Sequence, residues 1–290
     1  MDKGKYIVLD GEFLKSSDKV FTIENRGFKY GDALFETIRV VDGQPCFIED
    51  HFARLKEGMD YLKMKSSGNM SFKKLQELIN ELIVKNKITK GGRIRLSVFR
   101  KGNGLYEPDT LERSYVIEAK PLPYNEFILN ENGLVIDFYN QHKKYRNKLS
   151  LIKTNNSIPQ ILASIYKKEQ NLDDCIMVND VDRIAEAISS NIFMFKNNCL
   201  YTPSLEEGCM NGIMRKQILE IAKNAGYSVF EGMLTGSALM QADEVFLTNA
   251  IKGIMWVGAY RQKRYYNNVA KQLTEALNQL VKVRVLGKVG

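Results

Sequence analysis

Histidine is nearly missing: the 290 residues contain two, His51 and His142. That is too few for a multi-histidine metal centre, so no metal site is expected. The four cysteines, Cys46, Cys175, Cys199 and Cys209, lie far apart with no Cys-x-x-Cys pair, which excludes a zinc knuckle and a disulfide framework. Reduced thiols in a cytoplasmic protein are the expectation. No stretch of about 18 apolar residues occurs, so a membrane span is excluded and no membrane partner is expected. The opening MDKGKYIVLDGEF alternates polar and apolar residues and lacks the apolar core of a signal peptide. Also absent are a Walker-type loop, a His-Glu-x-x-His pair and a Gly-x-Ser-x-Gly elbow, which removes the commonest nucleotide, zinc-protease and serine-hydrolase chemistries.

Hydrophobic residues make up 44% and charged residues 26%, ordinary globular usage that rules out extensive disorder. At roughly 150 residues per domain the length suits two domains. Lysine and arginine outnumber aspartate and glutamate by 42 to 34, a net charge of +8. The excess is dispersed, without a like-charge block, so small anions are expected as ligands and nucleic acid is not.

Segment 35–41 reads as a strand, and Phe52, Leu55, Met59 and Leu62 as one face of a helix opened by Glu49 and Asp50. Phe72, Leu75, Leu78, Ile79, Leu82 and Ile83 mark a second helix. Strands follow near 93–100 and 114–120, separated by the turn-like KGNG at 101–104. The stretch PLPYNEF carries two of six prolines, which cannot donate to a ladder or sit inside a helix. A domain boundary is therefore expected there, with a small N-terminal domain over 1–121, a linker over 122–129 and a larger C-terminal domain over 130–290. In the latter, strands near 134–139, 174–178, 190–195 and 244–248 alternate with helices near 157–169, 211–225 and 266–283. The first of those helices has Ile158, Ile161, Leu162 and Ile165 as its apolar face, expected to pack into the core. The result is an α+β chain.

Four separated segments carry the chemistry. They are RGFKYGDALFETIRV at 26–40 with HFARL at 51–55; SLIKTNNSI around Lys153; RIAEAISSNIF at 183–193; and TPSLEEGCMNGIMRK at 202–216 with DEVFLTNA at 243–250. In this order and spacing the chain resembles the class IV aminotransferases, pyridoxal-phosphate enzymes of fold type IV. That family includes branched-chain and D-amino-acid aminotransferases and 4-amino-4-deoxychorismate lyase. The resemblance implies a two-domain fold type IV architecture, a sandwich-like N-terminal α/β domain beside a C-terminal α/β pseudo-barrel, with pyridoxal 5'-phosphate as cofactor.

Under that resemblance Lys153 is the Schiff-base lysine. Such an amine must be neutral at working pH, through apolar surroundings or nearby cations; Leu149, Leu151 and Ile152, and Lys143, Lys144, Arg146 and Lys148, offer both from the sequence side. Glu186, in the family's E-x-x-x-x-N element with Asn191, would face the pyridine nitrogen and keep it protonated. Arg54 of H-x-x-R-L would hold the phosphate. So would the amides of Ile213 and Met214 after Gly212 at a helix start, and the loop Thr248-Asn249-Ala250. The family commonly has threonine where this chain has Met214. For substrate, Tyr30 and Phe35 match branched-chain enzymes, and alternation puts Arg93 and Arg95 on one strand face, where two cations could hold a carboxylate.

The departures bear on the reaction. D-amino-acid enzymes have a tyrosine at Phe35 and an Arg-x-His trap where this chain reads GNGLYEP. Branched-chain enzymes place a tyrosine at Ile158 and a proline at Leu96. Lyases share Lys153 with Asn156, and Asn249 with Ala250, yet usually have an arginine before Gly-Tyr where this chain has Gly104, Leu105 and Tyr106. The sequence leans to a branched-chain-like aminotransferase working on an amino acid and a 2-oxo acid, with the lyase as alternative. Family members are usually dimers with sites between domains, so a homodimer is expected by resemblance.

Overall fold

The computed structural model describes residues 4–65 and 71–287. Residues 1–3 of the alternating N-terminal stretch lie outside them. The chain forms two compact units. The first takes the residues up to Glu126, the short segment Ile152–Asn156 and the C-terminal turn from Arg284; the second takes Phe127–Leu151 and Ser157–Val283. The Lys153 segment, which sequence places in the larger domain, therefore belongs to the first unit.

In the first unit the elements are β1 (Tyr6–Leu9), β2 (Glu12–Lys15), α1 (Arg26–Tyr30), β3 (Ala33–Val41), β4 (Gln44–Pro45), α2 (Ile48–Tyr61), α3 (Phe72–Lys85), β5 (Gly92–Arg100) and β6 (Arg113–Pro121). The strands form one antiparallel sheet in the order β2-β1-β6-β5-β3-β4. Alternation along β3 and β5 sends Leu34, Ile38 and Val40, and Ile94, Leu96 and Val98, to one face. There they meet Leu55 and Met59 of α2 and Leu78, Ile79 and Leu82 of α3. Burying each such side chain contributes about 2 kcal/mol. Phe72, expected on the inner face of α3, is instead exposed and packs edge-on against Phe52, ring centroids 4.8 Å apart.

The β5–β6 loop is stapled from inside. The Arg26 guanidinium donates to the carbonyls of Asn103, Gly104 and Leu105 at 3.0, 3.1 and 2.8 Å and pairs with Asp32 at 3.0 Å. Asp32 in turn pairs with Arg100 at 2.9 Å. Leu105 and Tyr106 at the tip face water.

The second unit holds β7 (Leu134–Lys144), α4 (Ile158–Glu169), β8 (Asp174–Asn179), β9 (Ile184–Ala187), β10 (Asn191–Lys196), β11 (Cys199–Pro203), α5 (Ile213–Asn224), β12 (Ser228–Gly232), α6 (Gly236–Gln241), β13 (Glu244–Asn249), β14 (Gly253–Tyr260), β15 (Lys263–Arg264) and most of α7 (Asn268–Leu286). Its nine-stranded mixed sheet runs β12-β11-β10-β13-β14-β7-β8-β9, with β15 on β14. Ile136, Ile176, Ile192, Val245, Leu247 and Val257 form its core.

Helix α4 departs from expectation. It packs through Ala163, Leu162 and Tyr166 beside Tyr139 and Cys175. Ile158, Ile161 and Ile165 point to water, 65%, 52% and 50% exposed. The periodicity was that of a helix; the small Ala163, which lets the backbone approach the sheet, decides which face turns inward.

Candidate active site

In the first unit the segment after Ile152 adds to the part of the β3 edge that β4 leaves open. Phe35 donates its N–H to the Lys153 carbonyl at 3.0 Å, Asn155 donates to the Ala33 carbonyl at 2.9 Å, and Thr154 bridges Leu34. Backbone pairing thus fixes Lys153 while its side chain lies over Phe35, Nζ 4.4 Å from the ring centroid. Arg95 takes the same ring at 3.9 Å and reaches Ser97 and the Asn155 amide oxygen at 3.1 and 3.4 Å. Burial, then the neighbouring Arg93, pushes the Arg95 pKa down. An amine, an aromatic face and two close arginines are gathered on the outer face of the sheet, a setting that opposes extra positive charge and attracts carboxylates.

Arg54 is held elsewhere. Its Nε and Nη2 donate to the two Glu36 oxygens at 2.8 and 2.6 Å, and His51 Nδ1 lies 2.7 Å from Glu36 Oε2. Glu36 points to the inner face of β3, opposite Phe35. Burial alone would raise the Glu36 pKa; Arg54 and then the His51 hydrogen bond outweigh it and set it to about 2. Burial lowers the pKa of His51 against the pull of Glu36. Because the Glu36 pKa is depressed from 4.5 to about 2, its stabilising contribution is complete above pH 4.5 and is lost as pH falls towards 2, about 3 kcal/mol in all. Glu36→Gln is expected to be less stable at neutral pH and to flatten the acid limb of the stability curve in urea titrations between those pH values. An acid limb identical to that of the wild type would show that the triad carries no such linkage.

The second unit supplies a buried carboxylate and an uncapped helix start. Glu186 on β9 is buried; Oε2 accepts the Met210 N–H at 2.6 Å and Oε1 pairs with Lys144. The Asn191 amide donates to the Met210 carbonyl at 2.7 Å. Asn191 stands opposite Thr248 in the β10–β13 ladder. Helix α5 begins at Ile213 with Gly212 as N-cap and no side-chain cap, so its first amides point outward unclaimed by the helix. A Cβ on Gly212 would overlap Asn191 Oδ1. Thr248 is 1% exposed, and its hydroxyl has no hydrogen-bond partner among the described residues. Asn249 donates to the Ser190 hydroxyl at 3.0 Å and accepts from the amides of Ile251 and Lys252 at 3.1 and 2.9 Å, which fixes the turn carrying Ala250. An uncapped helix start, a glycine that permits close approach and an orphaned buried hydroxyl fit a phosphate group. Gly212→Ala is expected to displace Asn191 and to weaken phosphate-ester binding about tenfold, as read by fluorescence titration.

Several side chains were cast differently by sequence. Lys143, Lys144 and Arg146 each have an acidic partner within the second unit, Asp182, Glu186 and Asp180. Leu149 is exposed, and Ile152 alone of the three flanking apolar residues packs on the first core. In the first unit Arg95, distant in sequence, shares the Phe35 ring with Lys153. Tyr30 turns to the stapled loop, its hydroxyl 3.5 Å from the Gly104 carbonyl and its ring beside Tyr106. Glu36 and Ser190 escaped the sequence reading, and Lys144 entered it only as a cation upstream of Lys153. Of the two that escaped, only Glu36 left a trace, a charge at an inward position of an apolar strand.

Residues 33–260 match the amino-transferase class IV family model. The chain is 27% identical over 292 residues to the aminodeoxychorismate lyase of Bacillus subtilis, covering 96% of this chain and 94% of that protein. It is also 27% identical over 248 residues to a D-alanine aminotransferase of Listeria monocytogenes, covering 84% of this chain and 83% of that one. The branched-chain amino acid aminotransferase of Escherichia coli superposes with a TM-score of 0.87 at 24% identity, covering 96% of this chain and 95% of that one, a likeness that shows the fold.

Proposed function

The chain belongs to the class IV aminotransferase family, and from that premise we propose that it is a pyridoxal-phosphate enzyme whose Lys153 removes the Cα proton of an amino substrate. Amino transfer between an amino acid and a 2-oxo acid is the leading outcome. The family is pyridoxal-phosphate dependent. When bound, that cofactor supplies an electron-accepting ring conjugated to the substrate nitrogen. The observation that carries the proposal is the Lys153 amine over Phe35 with the Arg95 guanidinium on the same ring. The amine would hold the cofactor and move the proton; the guanidinium would anchor the substrate carboxylate beside it.

Lys153 would take the proton from the substrate Cα and hold it for return, so one side chain would serve as base and acid. Arg95, with Arg93, holds the carboxylate, and Phe35 gives an apolar wall. Glu186 offers its carboxylate to the ring nitrogen. Ile213 and Met214 amides, the Thr248 hydroxyl, and Asn249 and Ala250 hold the phosphate after Gly212, with Asn191 bracing them. Arg54 is assigned to the phosphate by family resemblance, its guanidinium oriented by Glu36. Tyr30 borders the substrate through the stapled loop.

A second outcome, 4-amino-4-deoxychorismate lyase activity with release of pyruvate, is favoured by specific features. Ile158, where the branched-chain pattern has a tyrosine, is exposed and brings no hydroxyl. Two arginines on one face also suit a substrate with two carboxylates. Incubation with leucine and 2-oxoglutarate should yield glutamate, and incubation with aminodeoxychorismate pyruvate; the productive one identifies the reaction, and failure of both rejects the proposal. A homodimer in the cytoplasm completes it, supported by the water-facing isoleucines of α4; light scattering of a monomeric mass would refute the dimer.

A further inference from the structure

One largely shielded cation has no part in the scheme above. Lys144 ends β7 in a stretch, Asn140–Leu149, where every other residue is exposed, yet its side chain is only 11% exposed. Pairing between β7 and β8 is irregular after Tyr139 and resumes at Lys144 opposite Asn179, so the sheet sets its position. Burying an ammonium where neighbours face water is costly and does nothing for a hydrophobic core. The compensating group is Glu186, whose Oε1 pairs with Lys144 while Oε2 accepts the Met210 N–H at 2.6 Å. The adjacent Cys209 thiol, pushed up to about 11 chiefly by burial, stays neutral and adds no competing charge.

We propose that Lys144 is a positioning residue that acts on the cofactor through Glu186: it orients the carboxylate and keeps the proton shared with the pyridine nitrogen on that nitrogen. This rests on the assignment of Glu186 to the ring nitrogen. Coulomb energy falls with distance. The ammonium touches the carboxylate, whereas the ring nitrogen would stand one hydrogen bond beyond it. Lys144 therefore stabilises the negative carboxylate more than it opposes the positive ring, and the charged pair wins over the neutral one. No atom is gained or lost; one proton changes its preferred site.

The experiment reconstitutes the enzyme with cofactor labelled with 15N at the ring and reads that nitrogen's chemical shift. Wild type should give a pyridinium signal, Lys144→Arg should keep it, and Lys144→Gln should lose it towards the neutral pyridine position, with kcat down about tenfold and KM little changed. A pyridinium signal retained in folded Lys144→Gln would overturn the proposal. So would failure of both Lys144→Gln and Lys144→Met to fold while Lys144→Arg folds, because Lys144 would then be only a structural cation. Glu186→Gln separates the premise: a signal it leaves unmoved removes the assignment of Glu186, whereas one it moves and Lys144→Gln does not removes Lys144 alone.

Discussion

Lys153→Ala is expected to lose about 10,000-fold or more in turnover while its thermal unfolding midpoint stays close to that of the wild type. The split follows from how the residue is held. Its carbonyl makes the bond to Phe35, and Thr154 and Asn155 continue the pairing to β3, all through backbone that alanine retains. The side chain contributes a half-buried amine over one ring. Borohydride treatment of the wild type should fix the cofactor on the peptide containing position 153, and mass spectrometry of the digest reads it directly. A variant with more than a tenth of wild-type turnover would move the chemistry to another residue.

Glu186→Gln should cost about a thousandfold in kcat with retention of cofactor. Glutamine still accepts from the Met210 amide, so the loop before α5 keeps its anchor. It brings no negative charge, and Lys144 is left buried beside a neutral amide. Removing one partner of a buried pair destabilises by about 3 kcal/mol, so a lower unfolding midpoint should accompany the kinetic loss. Stopped-flow kinetics beside calorimetry separates the two effects. Turnover within threefold of wild type would take Glu186 out of the chemistry.

Long periodic elements were legible in the sequence because their pattern and their burial coincide: α3 buries Leu75, Leu78, Ile79, Leu82 and Ile83, and β5 alternates throughout. Of the shorter strands, β8, β10 and β13 stand close to their expected places, whereas β1, β2 and β11 were not legible. The strands β1 and β2 are joined at Asp10 and Gly11, and β10 and β11 at Asn197 and Asn198; both residues of each turn have positive φ. Asp-Gly and Asn-Asn between apolar runs are hairpin signals that point to β1, β2 and β11. No such signal marks β9, four residues between turns. For α4 the apolar spacing was real, but its direction depends on the sheet it meets. The start of α5 was legible because a helix start with glycine is a local pattern, whereas its phosphate role came from the family resemblance. The pairing of Arg54 with Glu36 and of Lys144 with Glu186 was not, since partners 18 and 42 positions apart meet only through tertiary packing.

Arg26 grips the β5–β6 loop by three main-chain oxygens, not by side chains. Its hold is therefore indifferent to what Asn103, Leu105 and Tyr106 are, and those positions can drift while the loop keeps its shape. A lysine could not substitute, because one ammonium cannot span three carbonyls and the Asp32 carboxylate as a flat five-donor fork does. The loop tip is thus a place where the sequence can vary without first destabilising the scaffold, provided the arginine stays.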